Sequence, residues 1–227
     1  YYARIVRDFD PSAPTPNWMR RRLIRAGMRS ISLAVDITNY VMLDLGQPMH
    51  AYDLDKIQPP IVVRRAREAE HLTTLDGQDH PLSPEDLLIT DSPEVAEGSR
   101  ILGLAGVMGG LYGEVTSSTR HVLLESAHFD PVSIARSARR HKIPSEASHR
   151  FERGVDDQLQ PAAAQYAAEL LNAYGHGTPS AHPTDLNNTV ARQPIDFKSS
   201  EVRRLTGTDT DEARHVATLR DTCREVE

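Results

Sequence analysis

The sequence predicts an α+β fold, with mixed or antiparallel sheets in the middle of the chain and helices flanking them. Three observations carry that expectation. Apolar residues recur at helical spacing over 15–46 and again over 159–175. Between them, short β-rich runs are separated by turn residues, and Asp76-Gly77 is a hairpin signal. A stretch rich in His, Pro, Asn and Thr, 176–194, then reads as a linker before a short tail.

Taken in order, Thr15-Pro16 reads as a helix start, with Thr15 as cap and Pro16 at the first helical position. Met19, Leu23 and Ala26 share a face, and Gly27 supplies the stop. Asp36 is a second candidate cap. Ile37, Tyr40, Val41 and Leu45 follow it on one face, ending at Gly46. That start places Thr38 and Asn39 in the first turn, where unpaired backbone N–H groups can receive a ligand oxygen. His50 falls past the helix stop in a loop. Ile61-Val62-Val63, Leu72 to Leu75, Leu87-Leu88-Ile89, Ile101 to Leu104 and His121 to Glu125 are strand candidates, and 92–99 a surface loop. Asp130-Pro131 caps a helix running to about Arg140. The stripe Leu159, Ala163, Tyr166, Ala167, Leu170, Leu171 and Tyr174 is a long amphipathic helix stopped by Gly175. The tail offers one strand-like piece at Ile195 and a helix after Thr210, too short to bury a core of its own.

Composition narrows the function classes. The chain has 227 residues, 39% hydrophobic and 26% charged, which suits a soluble globular protein, and a cytoplasmic location is expected. It has no apolar run of membrane-spanning length and no signal segment, so no membrane partner is expected. Cys223 is the only cysteine, which excludes a disulfide framework and a Cys-based zinc site. A net charge of −6 makes the whole chain no magnet for nucleic acid, although arginines cluster at 20–29, 64–67 and 136–140. Such clusters are most often solvated faces. The chain opens Tyr1-Tyr2-Ala3 without Met, as a piece of a longer protein would.

Few motifs point to chemistry by themselves. The ten histidines form no His-Glu-x-x-His pair, and no metal site is expected. Gly103 to Gly110 contains four glycines but lacks the Gly-Lys-Ser/Thr of a phosphate loop. Its plain reading is a tight turn after a strand. Its functional reading is a bare backbone that lets a ligand approach closely. Glu125 alone reads as a strand-end carboxylate.

Longer blocks go further. Asp36 to Leu43, Gly46 to Asp53, Thr73 to Gly77, Leu104 to Gly110, Glu125 to Phe129 and Ser148 to Asp156 occur in the order seen in the editing module of bacterial phenylalanyl-tRNA synthetase beta subunits. The sequence resembles that family over roughly residues 1–175. The resemblance implies an editing domain over 1–190. It also implies a partial DNA-binding-like domain over 191–227, the opening of a small α/β winged-helix-like unit.

The implied activity is hydrolysis of tyrosine wrongly esterified to phenylalanine tRNA. The implied partners are that tRNA and an alpha subunit, in an α2β2 heterotetramer. ATP and magnesium serve aminoacylation on the alpha subunit, and no cofactor is expected in this fragment. Glu125 matches the glutamate that reads the tyrosine hydroxyl, with the Gly106 N–H as a second contact. Ala105, Gly109, Ser145 and Ala147 match further positions lining the pocket. Catalytic roles are implied for His50, which orients water or the terminal ribose, and for Thr38 and Asn39 near the ester. The chain departs from the family at Ser145-Glu146, where Thr-Asp is usual; serine keeps the hydroxyl and loses a methyl. The rival readings are a non-catalytic scaffold or RNA-binding module, and a free-standing enzyme acting in trans.

Overall fold

The computed structural model describes residues 1–190 and 193–223. The chain divides into two compact units, Tyr1–Asn188 and Thr189–Glu227. The first begins with β1 (Tyr2–Arg7), α1 (Asn17–Arg25), α2 (Leu33–Leu45) and β2 (Met49–Asp53). A strand-rich middle follows: β3 (Val62–Arg65), β4 (His71–Thr73), β5 (Asp79–Pro81), β6 (Leu87–Asp91), β7 (Arg100–Leu104), β8 (Met108–Gly109) and β9 (Val122–Ser126). The unit closes with α3 (Pro131–His141), α4 (Glu146–Phe151), α5 (Gln160–Gly175), β10 (Thr178–Pro179) and β11 (Thr184–Asp185). The second unit holds α6 (Ser200–Thr206) and α7 (Glu212–Thr222), with no fully buried residue in either helix.

The architecture is α+β, and every described strand pair is antiparallel. One sheet runs β10-β1-β9-β2, with β11 also on β1, and a second runs β3-β6-β7-β8. β4 and β5 form the hairpin expected around Asp76-Gly77, and Gly77 has the positive φ of +80° that such a turn needs.

Period-two alternation in the first sheet explains how two cores coexist. Val122 and Leu124 of β9 and Ala51 of β2 point into a core with α1, α2 and α5. The alternate residues, Leu123 and Tyr52, point into a second core with the second sheet, α3 and α4. Leu124, Met19, Leu23, Ile37 and Leu171 are fully buried, each worth about 1.5–3 kcal/mol relative to exposure. Asp130 caps α3 as expected, accepting the Ser133 N–H at 2.7 Å. Asp86 ties that helix to the second sheet. It accepts the Ser83 N–H at 2.8 Å and the Ser137 hydroxyl at 2.7 Å, lies 2.7 Å from His141 Nε2, and pairs with Arg140.

Several sequence expectations are corrected. α2 begins a turn earlier than Asp36, with Ser32 at its cap position, because Leu33, Ala34 and Ile37 bury one stripe. Asp36 is inside the helix. Its buried carboxylate instead gathers the Thr15 and Ser30 hydroxyls and the Ile31 N–H, and Pro16 rather than Thr15 occupies the α1 cap position. Thr38 and Asn39 therefore lie in the second turn, without free backbone N–H groups to offer. His50 lies on β2, not in a loop. Gly175 ends α5, but the left-handed residue is His176 at φ +58°. Gly175 is needed for space, since a Cβ there would meet Leu33 Cδ2 at 2.9 Å. The linker region contributes β10 and β11, and residues 193–198 carry no strand at Ile195.

Candidate functional site

A small cleft of about 70 Å³ opens between the two sheets. The first sheet contributes His50, Tyr52 and Glu125, and the second contributes the turn after β7. This follows from register. His50 faces Glu125 across β2 and β9, and Tyr52 is two residues from His50, so the three share a face.

Glu125 is a carboxylate in the sheet's middle strand, only 7% exposed. The Tyr52 hydroxyl donates to its Oε2 at 2.9 Å and the Tyr1 hydroxyl to the same oxygen at 3.2 Å. Burial pushes the carboxyl from 4.5 up to about 7, while the two hydroxyls pull the other way. Its charge state is thus set to change near neutral pH. Burial holds the His50 imidazole down at about 4, so the ring is neutral at pH 7. Its edge packs on Tyr52, centroids 4.4 Å apart.

The turn supplies the other wall. The Val107 N–H donates to the Leu104 carbonyl at 3.0 Å, closing a four-residue turn with Gly106 third, at φ +66°. A type II turn requires that conformation there, which favours glycine. Ala105 is fixed by its N–H bond to Leu87, whereas no acceptor among the described residues takes the Gly106 N–H. Gly109 is bare for a different reason: a Cβ would stand 2.6 Å from His50 Cε1 and 2.8 Å from Nε2. The Ser145 hydroxyl caps α4 by accepting the Ser148 N–H at 3.0 Å and donates to the Val107 carbonyl at 2.7 Å. It thereby pins the turn to the helix that carries Ala147 and Phe151 into the cleft. A buried acceptor, a neutral imidazole, a free backbone donor and apolar walls together suit a small aromatic or apolar group bearing one hydroxyl.

The B3/4 domain family matches residues 1–176. The chain belongs to that family. It is 75% identical to a phenylalanine–tRNA ligase beta subunit from Bifidobacterium longum, over 93% of this chain and 24% of that protein. It is 54% identical to the same subunit from Leifsonia xyli, over 91% of this chain and 24% of that protein. It is 50% identical to that from Thermobifida fusca, over 97% of this chain and 26% of that protein. The chain thus spans about a quarter of the length of the curated relatives it matches. A crystal structure of an N-terminal fragment of the phenylalanyl-tRNA synthetase beta subunit from Pyrococcus horikoshii aligns with 93% of this chain and 57% of that one, at TM-score 0.48 and 13% identity. The family resemblance read from the sequence blocks is borne out.

Within this B3/4 domain, the expected site residues separate into groups. His50, Ala105, Gly106, Gly109, Glu125 and Ala147 line the cleft. Ser145 supports it through Val107. Thr38 and Asn39 do not line it; the Thr38 hydroxyl donates to the Val35 carbonyl of its own helix at 2.8 Å. Sequence reasoning missed Tyr1 and Tyr52. The spacing of Tyr52, two residues from His50, was the available signal once that segment is read as a strand. Among the described residues no group of His, Cys, Asp or Glu is placed to hold a metal, and no helix is long and apolar enough to cross a membrane.

Proposed function

We propose that this cleft is a post-transfer editing site, which hydrolyses tyrosine wrongly esterified to phenylalanine tRNA within a phenylalanine–tRNA ligase. The observation that carries the reading is Glu125, a buried carboxylate lining the same cleft as Gly106, whose N–H has no acceptor among the described residues. A tyrosine hydroxyl donates to Glu125 and accepts from Gly106. A phenylalanine ring leaves both unpaired. Sites built on polar recognition of this kind discriminate by roughly 10⁴ or more, whereas a pocket that only has to exclude a hydroxyl discriminates by about 10².

In the hydrolysis, a water oxygen bonds to the ester carbonyl carbon and the bond from that carbon to the ribose oxygen breaks. The ribose oxygen takes a proton and tyrosine leaves as the free acid. His50, neutral and at the cleft wall, orients the water or the terminal ribose. The partners in this reading are the tRNA and an alpha subunit in a cytoplasmic α2β2 enzyme, where ATP and magnesium serve aminoacylation on the other subunit. The open cleft favours this reading over a scaffold, for which neither a buried carboxylate nor bare glycines are needed.

The test is tyrosine release from tyrosyl-tRNA(Phe) by the full heteromeric enzyme, with and without Glu125→Ala. Slower release and a narrowed preference over phenylalanyl-tRNA support the site. Unchanged release makes the scaffold the better reading.

A further inference from the structure

The way the Glu125 acceptor is held bears on specificity, given the editing function proposed above. Both protein hydrogen bonds to Glu125 fall on one oxygen: Tyr52 at 2.9 Å and Tyr1 at 3.2 Å donate to Oε2. No donor among the described residues reaches Oε1, and Glu125 lines the cleft. The two donors come from opposite sides, Tyr52 on β2 and Tyr1 at the start of β1, with β9 between them. We propose that Tyr52 and Tyr1 form a clamp that holds the Glu125 carboxylate so that Oε1 alone is presented to the substrate hydroxyl, making Tyr52 a positioning residue for specificity.

The terminal torsion of a glutamate is broad and roughly two-fold, so a free carboxylate offers either oxygen in many orientations. Two donors converging on one oxygen remove that freedom. Preorganised acceptors discriminate better than mobile ones because no reorganisation is needed when the ligand arrives. The clamp also supports the charged form, since hydrogen bonds to an ionised carboxylate favour it against burial. Both phenols are themselves held well above 10, first by burial and then by the Glu125 charge, so they remain donors. The titratable groups facing Glu125 are His50 and Tyr52 from β2, and Tyr1 from the β1 side. The second sheet and α4 contribute no titratable side chain to the cleft lining.

Tyr52 is a clean probe because packing fixes its ring independently of its hydroxyl. It is 2% exposed, its backbone bridges to Glu114, and its edge contacts His50. Tyr52→Phe therefore removes one donor and little else. Single-turnover deacylation of tyrosyl- and phenylalanyl-tRNA(Phe) would be followed across a pH series, with the whole heteromeric enzyme carrying Tyr52→Phe, Tyr1→Phe or Glu125→Gln. The expected result for Tyr52→Phe is a loss of tyrosine preference of roughly tenfold or more, as for losing a hydrogen bond to a charged group. The acidic limb of the tyrosyl profile moves to higher pH, because the ionised form has lost a donor. Tyr1→Phe, with the longer bond, gives the same shift in smaller measure. If Glu125→Gln abolishes the preference while both Tyr→Phe variants keep the wild-type preference and pH limb, the clamp is wrong and the editing site stands. If Glu125→Gln changes nothing, the editing reading fails and the clamp falls with it.

Discussion

Gly109→Ala tests the cleft with a single methyl group. The backbone at Gly109 has no positive φ, so alanine meets no conformational penalty there. The obstacle is His50: the new Cβ would lie 2.6 Å from Cε1 and 2.8 Å from Nε2, with Leu75 Cδ1 at 3.3 Å. Carbon contacts are comfortable near 3.5–4.0 Å, so the ring must retreat by about 1 Å. Its movement is limited by the contact with the Tyr52 ring, centroids 4.4 Å apart. Overpacking of this kind costs about 1–3 kcal/mol of stability. A displacement of about 1 Å in a positioning group costs about 10²-fold in rate. We expect deacylation of preformed tyrosyl-tRNA(Phe) by the heteromeric enzyme to fall by roughly that factor, with a modest fall in urea midpoint. Gly106→Ala is the contrast. Its Cβ would meet the rings of Phe151 and Phe129 and the Ile134 side chain at 3.0–3.2 Å rather than His50, from a left-handed backbone. It should lower stability more than Gly109→Ala does. If Gly109→Ala deacylates within twofold of wild type, His50 has no positional role and this reasoning fails.

Three further outcomes follow from the same contacts. The Glu125 carboxyl is raised in the fold from 4.5 to about 7, so its stabilising contribution is complete below pH 4.5 and is lost as pH rises through 7. Measured by urea unfolding, wild-type stability relative to Glu125→Gln should therefore fall on the order of 3 kcal/mol between those limits, and a flat difference would contradict the burial argument. Asp86→Asn removes the charge that Arg140 and His141 share, and should cost roughly 3 kcal/mol in the same assay. His176→Gly relieves a left-handed residue at the exposed C-cap of α5 and should stabilise by about 0.5–1 kcal/mol, with an unchanged midpoint counting against the strain.

Elements written in local pattern were legible: the amphipathic stripe of α5, the Asp130-Pro131 start of α3 and the turn at Asp76-Gly77. What escaped reading depends on contacts distant in sequence. β1 sits in the sheet because Tyr2 to Val6 pairs with Val122 to Ser126, and β10 joins it through Val6 and Pro179. No local rule announces such pairings. The start of α2 was misjudged because Asp36, a good cap by type, is committed to Thr15, Ser30 and Ile31 instead. The cleft was legible mainly through family blocks. Glu125 alone looks like any strand-end carboxylate, and only the register with His50 and Tyr52 gives it a site. The glycine turn shows both readings at once. Gly106 serves the turn, and Gly109 serves the space beside His50.

The pairing of β10 and β11 along one side of β1 decides where this domain can be cut. The family match stops at residue 176, yet Ser180 N–H bonds the Ile5 carbonyl at 2.8 Å and Leu186 N–H bonds the Tyr1 carbonyl at 2.9 Å. An excised protein ending at 176 would leave one whole side of β1 unpaired, with Val6 among its residues. Such a bare flank is a template for joining a neighbour's strand. A recombinant boundary drawn after Leu186 keeps that seam shut, and the shorter one invites clumping during purification.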